Sequence, residues 1–155
     1  MIRYQHSQFG WVMVIIVFLV GLSVFFVVPP LPEDRSWVYW LTLTPLFLFL
    51  PLFYRLTTVV TAQAVIVKFG IGLIKRSISL DTIQACRPLN KQFILGWGIR
   101  FGVDFTLWNV SGFKAVELIF RDKKWKFRIG TDRPDELSEA INAAIRERSP
   151  GVKKD

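Results

Sequence analysis

The sequence predicts a membrane α-hairpin joined to a mainly-β domain, a small sandwich or barrel of seven short strands capped by a C-terminal α-helix. Three observations carry this reading. Two uncharged apolar stretches occupy residues 11–28 and 37–54. Strand-type periodicity replaces them from Arg55 onward. One amphipathic helical pattern closes the chain before a short basic tail.

Each apolar stretch, taken as a helix at about 1.5 Å per residue, reaches about 27 Å. That is close to a hydrocarbon core of about 30 Å. Within residues 12–28 only Gly21 and Ser23 are not hydrophobic, and the second stretch carries Thr42, Thr44, Pro45 and Pro51 but no charge. Trp11 and Trp37 open the stretches and Tyr54 with Arg55 closes the second, the residue types that favour a membrane–water boundary. The proline-rich connector 29–36 holds Glu33, Asp34 and Arg35. Residues 1–56 therefore read as a two-span hairpin. Pro45 and Pro51 read as kinks, and no ionisable residue within either span could carry an ion pathway.

Charge sets the expected orientation. From Arg55 onward there are 18 Lys/Arg against 10 Asp/Glu, a difference of +8 that equals the net charge of the whole chain. Basic residues avoid the connector, so the positive-inside rule sets both termini in the cytoplasm. The N-terminal segment has one Arg and no small-residue cleavage site, which argues against a cleaved signal peptide.

Residues 57–149 read as a cytoplasmic β domain, with 150–155 as the basic tail. Strand patterns rich in Val, Ile, Thr and Phe run over 56–61, 64–69, 73–80 and 83–89. Further ones cover 99–110, 114–121 and 124–129. In the last, Trp125, Phe127 and Ile129 alternate with Lys124, Lys126 and Arg128. Gly70, Gly72 and Gly112 mark turns. A helix follows, with Asp132 or Arg133 at its N-cap and Pro134 in its first turn. Leu137, Ala140, Ile141, Ala144 and Ile145 share one face.

Several functions find no support. Cys86 is the single cysteine and His6 the single histidine, so the chain has no disulfide framework, no multi-cysteine zinc site and no histidine-based metal site. Cys86 reads as a small buried hydrophobe. No Gly-rich stretch has phosphate-loop spacing. Asn109-Val110-Ser111 matches a glycosylation sequon by chance on the expected cytoplasmic side. Asp104 and Glu117 form the one acidic pair that might meet, and no nucleophile has an evident base. The reading is non-enzymatic, with no catalytic residue, no metal and no cofactor. No groove-reading motif points to nucleic acid.

The candidate contact residues are basic and apolar. Arg121, Lys123, Lys124, Lys126 and Arg128 form a stripe able to meet anionic lipid headgroups or an acidic protein. Phe93, Ile94 and Leu95 form an apolar loop placed either to touch a bilayer or a partner or to fold back under the sandwich. Lys75 and Arg76 are adjacent on one strand, so they point to opposite faces and cannot share an inositol-phosphate pocket.

The segments Gly96-Trp97-Gly98-Ile99-Arg100, Trp108-Asn109-Val110-Ser111-Gly112, Ala115-Val116-Glu117-Leu118 and Ile129-Gly130-Thr131-Asp132 with Pro134 resemble bacterial membrane-anchored pleckstrin-homology-like proteins. The resemblance runs from about Trp11 to Arg148. It implies a PH-like seven-stranded sandwich behind two spans in the bacterial inner membrane, and it supplies no functional residues. The expected function is a protein-interaction or scaffolding module, with an unidentified protein partner and self-assembly as a homo-oligomer. The alternative is recognition of anionic phospholipid headgroups by the basic face.

Overall fold

The computed structural model describes residues 2–27, 37–89 and 96–148. Among the described residues nine strands form two sheets, accompanied by a helical hairpin and a C-terminal helix. The first sheet has the order β1 (Ile2–Phe9), β2 (Arg55–Thr61), β3 (Ala64–Phe69), β4 (Lys75–Ser79), all antiparallel. The second contains β5 (Ile83–Leu89), β6 (Gly98–Phe101), β7 (Phe105–Asn109), β8 (Ala115–Phe120) and β9 (Lys126–Gly130). Its order is β5-β8-β9-β7-β6, and β7 runs parallel to β9. The β8–β9 hairpin thus enters the sheet between β5 and β7.

The helical hairpin is an insertion between paired strands. Helices α1 (Trp11–Val27) and α2 (Trp37–Phe53) lie between β1 and β2 in sequence. Phe9 pairs with Arg55, and the Gly10 amide donates to the Tyr54 carbonyl at 2.7 Å. The β-ladder therefore fixes one end of each helix. Seventeen residues make each helix about 25 Å long, short of a hydrocarbon core of about 30 Å. Among the described residues, no helix is long and apolar enough to cross a membrane.

This corrects the expected membrane hairpin, and with it the spans at 11–28 and 37–54 and the multi-pass inner-membrane localisation. The physical reason is where the ladder begins. Residues 1–56 read as a hairpin with no strand in it, yet 2–9 form β1, and the second helix ends at Phe53 so that Arg55 can pair. The inner face of β1 carries Tyr4, His6 and Gln8, so a strand hid behind polar residues.

The expected seven strands are nine among the described residues, because β1 is added ahead of the helices and the run 99–110 divides at Gly102–Asp104 into β6 and β7. Two sheets enclose Val60, Val65, Phe69, Leu118, Phe127 and Ile129, all fully buried. Trp108 reaches across between Phe69 and Phe127, with ring centroids at 5.2 and 5.6 Å. Helix α3 (Pro134–Arg148) seals one side with Leu137, Ile141, Ala144 and Ile145. Arg133 precedes it, and its amide donates to Thr131 Oγ1 at 3.2 Å. The turn glycines Gly70, Gly72 and Gly112 all have positive φ. Gly70 in addition lies against the carbonyls of Pro51 and Leu52, where a Cβ has no room.

Candidate functional site

Among the described residues, the basic stripe is not one surface. Arg128 and Glu117 are cross-strand partners on β9 and β8, and Arg128 Nε donates to Glu117 Oε2 at 2.8 Å. The Arg128 guanidinium also stacks over the Phe105 ring at 3.9 Å. Lys126 Nζ lies 3.7 Å from Glu117 and 3.8 Å from Asp104. Asp104 and Glu117 thus converge, around a lysine that neutralises them. Glu117 is buried, so this network consumes the charge of Lys126 and Arg128 within the fold. Arg121, Lys123 and Lys124 remain exposed on the β8–β9 turn. The loop residues Phe93, Ile94 and Leu95 lie outside the described residues.

The turn forms one wall of a cleft that the sequence did not announce. Strand β4 is the outer strand of the first sheet. Its residues Arg76 and Ile78 pair with Val67 and Val65, both fully buried, and so face the interior. Beyond them the sandwich is open, and a cavity of about 550 Å³ lies between β4 and the β8–β9 turn. Ile78, Phe120 and Trp125 give it an apolar floor, while Arg76 and Lys123 bring positive charge. Ser77, Ser79, Thr82 and Asp122 complete the lining.

Arg76 is held in place by the rings beneath it. Its guanidinium carbon lies 5.2 Å from the Trp125 centroid and 4.9 Å from that of Phe127. Phe120 stacks on Trp125 at 6.0 Å with an interplanar angle of 19°. Contacts of this kind contribute about 0.5–1 kcal/mol at exposed sites, enough to orient the arginine while leaving its N–H groups available. As the alternation of a strand requires, Lys75 points away from the cleft side, opposite Lys68.

The floor of the cleft is braced from behind. A 3-10 turn, Leu80–Thr82, carries β4 into β5, and Thr82 Oγ1 donates to the Ser79 carbonyl at 2.8 Å. Arg148 at the end of α3 grips Asp81 with two bonds of 2.6 and 2.8 Å and donates to the Ala62 carbonyl at 3.1 Å. The helix therefore locks the corner from which β4 departs.

Other singled-out residues have structural work. Asn109 is buried; its amide donates to the carbonyls of Gly96 and Gly112, and its oxygen accepts from the Ser111 amide. The sequon is a turn. His6 pairs with Asp132 at 2.5 Å, tying β1 to the start of α3. Burial pushes the Cys86 thiol up from 9.0 to about 12, with the Glu117 carboxylate adding to the effect. Burial likewise raises the Tyr4 phenol, helped by Glu136. No group of three or more His, Cys, Asp or Glu side chains among the described residues could hold a metal ion.

The hairpin presents a different surface. Phe18, Leu19, Trp40, Leu41, Phe47 and Leu48 are exposed, and an apolar groove of about 390 Å³ runs between α1 and α2. Comparison with protein-family models, with curated proteins and with solved structures finds no match to this chain.

Proposed function

We propose that the chain is a non-enzymatic protein-interaction module whose working surface is the cleft between β4 and the β8–β9 turn. The observation that carries the reading is Arg76, spread over Trp125 and Phe127 at the mouth of a cavity with an apolar floor. An oriented cation beside half-buried aromatic surface is the composition of a binding hot spot. Lys123 lines the same opening, against Asp122 alone as a lining acid, and Arg121 and Lys124 are exposed on the adjoining β8–β9 turn. The local field therefore favours an acidic partner.

Recognition of lipid headgroups by a single basic face has less support, because Lys126 and Arg128 are engaged by Glu117. Self-association is the scaffolding half of the proposal. It is supported by the exposed apolar side chains of α1 and α2, since contiguous patches of that kind mark interaction surfaces.

Binding of the full chain to polyglutamate, compared with phosphatidylserine vesicles, tests the cleft. The expected result is salt-sensitive binding to polyglutamate that falls at least tenfold in the Arg76→Glu, Lys123→Glu double variant. Unchanged binding in that variant, or vesicle binding lost only on changing Arg121 and Lys124, would overturn the reading.

A further inference from the structure

Strand β4 has an unused edge, and the hydrogen-bond register shows which groups line it. In an antiparallel pair, residues directly opposite alternate between exchanging backbone bonds and exchanging none. The Phe69 amide donates to the Ile74 carbonyl at 2.8 Å, and the Leu80 amide donates to the Gln63 carbonyl at 3.0 Å. With Val67 opposite Arg76 and Val65 opposite Ile78, those two pairs carry the bonds between β3 and β4. Lys75, Ser77 and Ser79 occupy the alternate positions, so their N–H and C=O groups point outward. The Ser79 carbonyl is taken by Thr82. The others have no partner among the described residues.

The edge of β5 is treated differently. The Asn142 side chain on α3 accepts from the Cys86 amide at 2.9 Å and donates to the Cys86 carbonyl at 2.8 Å. One residue thus occupies both groups that an added strand would need. Edges left unprotected are templates for pairing, and folds commonly cover them. Here one edge is covered and the edge beside the cleft is open.

We infer that the cleft's partner is an extended acidic segment that adds to β4 as a further strand, taking the outward amides and carbonyls of Lys75 and Ser77. This rests on the proposed role of the cleft. Strand addition draws affinity from main-chain bonds and specificity from alternate side chains. Side chains of the added strand on the interior side would lie over Arg76, Ile78 and Trp125, which suits glutamate alternating with an apolar or aromatic residue. On the other side they would lie beside Lys75 and Ser77, which suits a second acidic or hydroxyl side chain.

The test uses the full chain and a labelled short peptide with glutamate, valine, glutamate and phenylalanine at alternate positions and serine or glutamate between them, so that the first set shares one face of a strand. Its controls are the same peptide with lysine for glutamate, and two versions N-methylated at alternate residues, one in each frame. Ser77→Pro removes an outward amide that β3 does not use, a position where an edge strand accepts proline. Binding of the acidic peptide is expected, with at least a tenfold loss for the lysine peptide, for one N-methylated frame and for Ser77→Pro. If Ser77→Pro does not fold, the N-methylated pair alone decides. Equal binding by both N-methylated frames, with loss on Arg76→Glu, would overturn strand addition and leave the cleft as the binding surface. Absence of binding by the acidic peptide and by polyglutamate would overturn both.

Discussion

At the residue scale, burial settles what individual side chains can do. Cys86 faces the interior of β5 and is almost fully buried, and the native thiol holds its proton to about pH 12. The thiolate is the reactive form. Alkylation by iodoacetamide at pH 8 is therefore expected to be negligible in the native chain and rapid after denaturation. Linkage gives the sign for stability. Above pH 9 the unfolded thiol loses its proton while the folded one keeps it, so the unfolded state binds fewer protons. Stability then falls as pH rises from about 9 towards 12, by up to about 1.4 kcal/mol per unit from this group. Denaturant titration of wild type against Cys86→Ala across that range isolates the slope, which should be shallower in the variant.

Cys86 was legible as a core residue from its type, since free cysteine is among the most buried residues. Strict alternation from Ile83 would have turned it outward, and the register shift between Ile83 and Ala85 brings it to the buried face. The sequence also separated Lys75 from Arg76 onto opposite faces. It did not reveal the Arg76 site. Nothing in a linear pattern says that the β4 edge stands beside the β8–β9 turn, since Arg76 and Trp125 are brought together only by the packing of one sheet on the other. For the same reason Lys126 and Arg128 looked like free cations. Their partner Glu117 lies on the neighbouring strand, and register cannot be read from alternation alone.

At the scale of elements, the strands from β2 onward and the closing helix follow from periodicity and capping residues. Strand β1 does not, because its inward positions are Tyr4, His6 and Gln8 and the hydrophobic alternation that marks a half-buried strand is missing. The parallel pairing of β7 with β9 was equally hidden, for turn residues fix neighbours in sequence and not insertions of a later hairpin. Asn142 lies outside the apolar set that marks α3 in the sequence, yet it caps the β5 edge. Asn142→Ala removes two hydrogen bonds and leaves the Cys86 amide and carbonyl unpaired. We expect a loss of about 2 kcal/mol, measured by urea unfolding, together with faster aggregation as the β5 edge opens. Unchanged stability would mean that the edge needs no cover.

At the scale of the whole molecule, the helical hairpin and the β domain meet at one junction. The β1–β2 ladder brackets the insertion, so the sandwich should close without it. A variant in which a short turn replaces residues 10–54 is expected to fold with the same strand content by circular dichroism. The contact of Phe53 with Phe69, at 5.4 Å between centroids, would be lost, at a cost of about 1–3 kcal/mol. Light scattering should find this variant monomeric and the full chain associated, because α1 and α2 carry most of the exposed large hydrophobic side chains among the described residues. A deletion variant that fails to fold would show that the hairpin is part of the core. One that still associates would move self-assembly to the β domain.

The central claim is that the open edge of β4 and the cleft beside it bind an acidic partner, and amide chemical-shift mapping during titration with the glutamate-containing peptide tests it most directly. The account predicts that the largest shifts fall on Lys75 and Ser77, with smaller ones on Phe120, Lys123 and Trp125. Shifts centred instead on Glu117, Lys126 and Arg128, or none along β4 at saturating peptide, would contradict it.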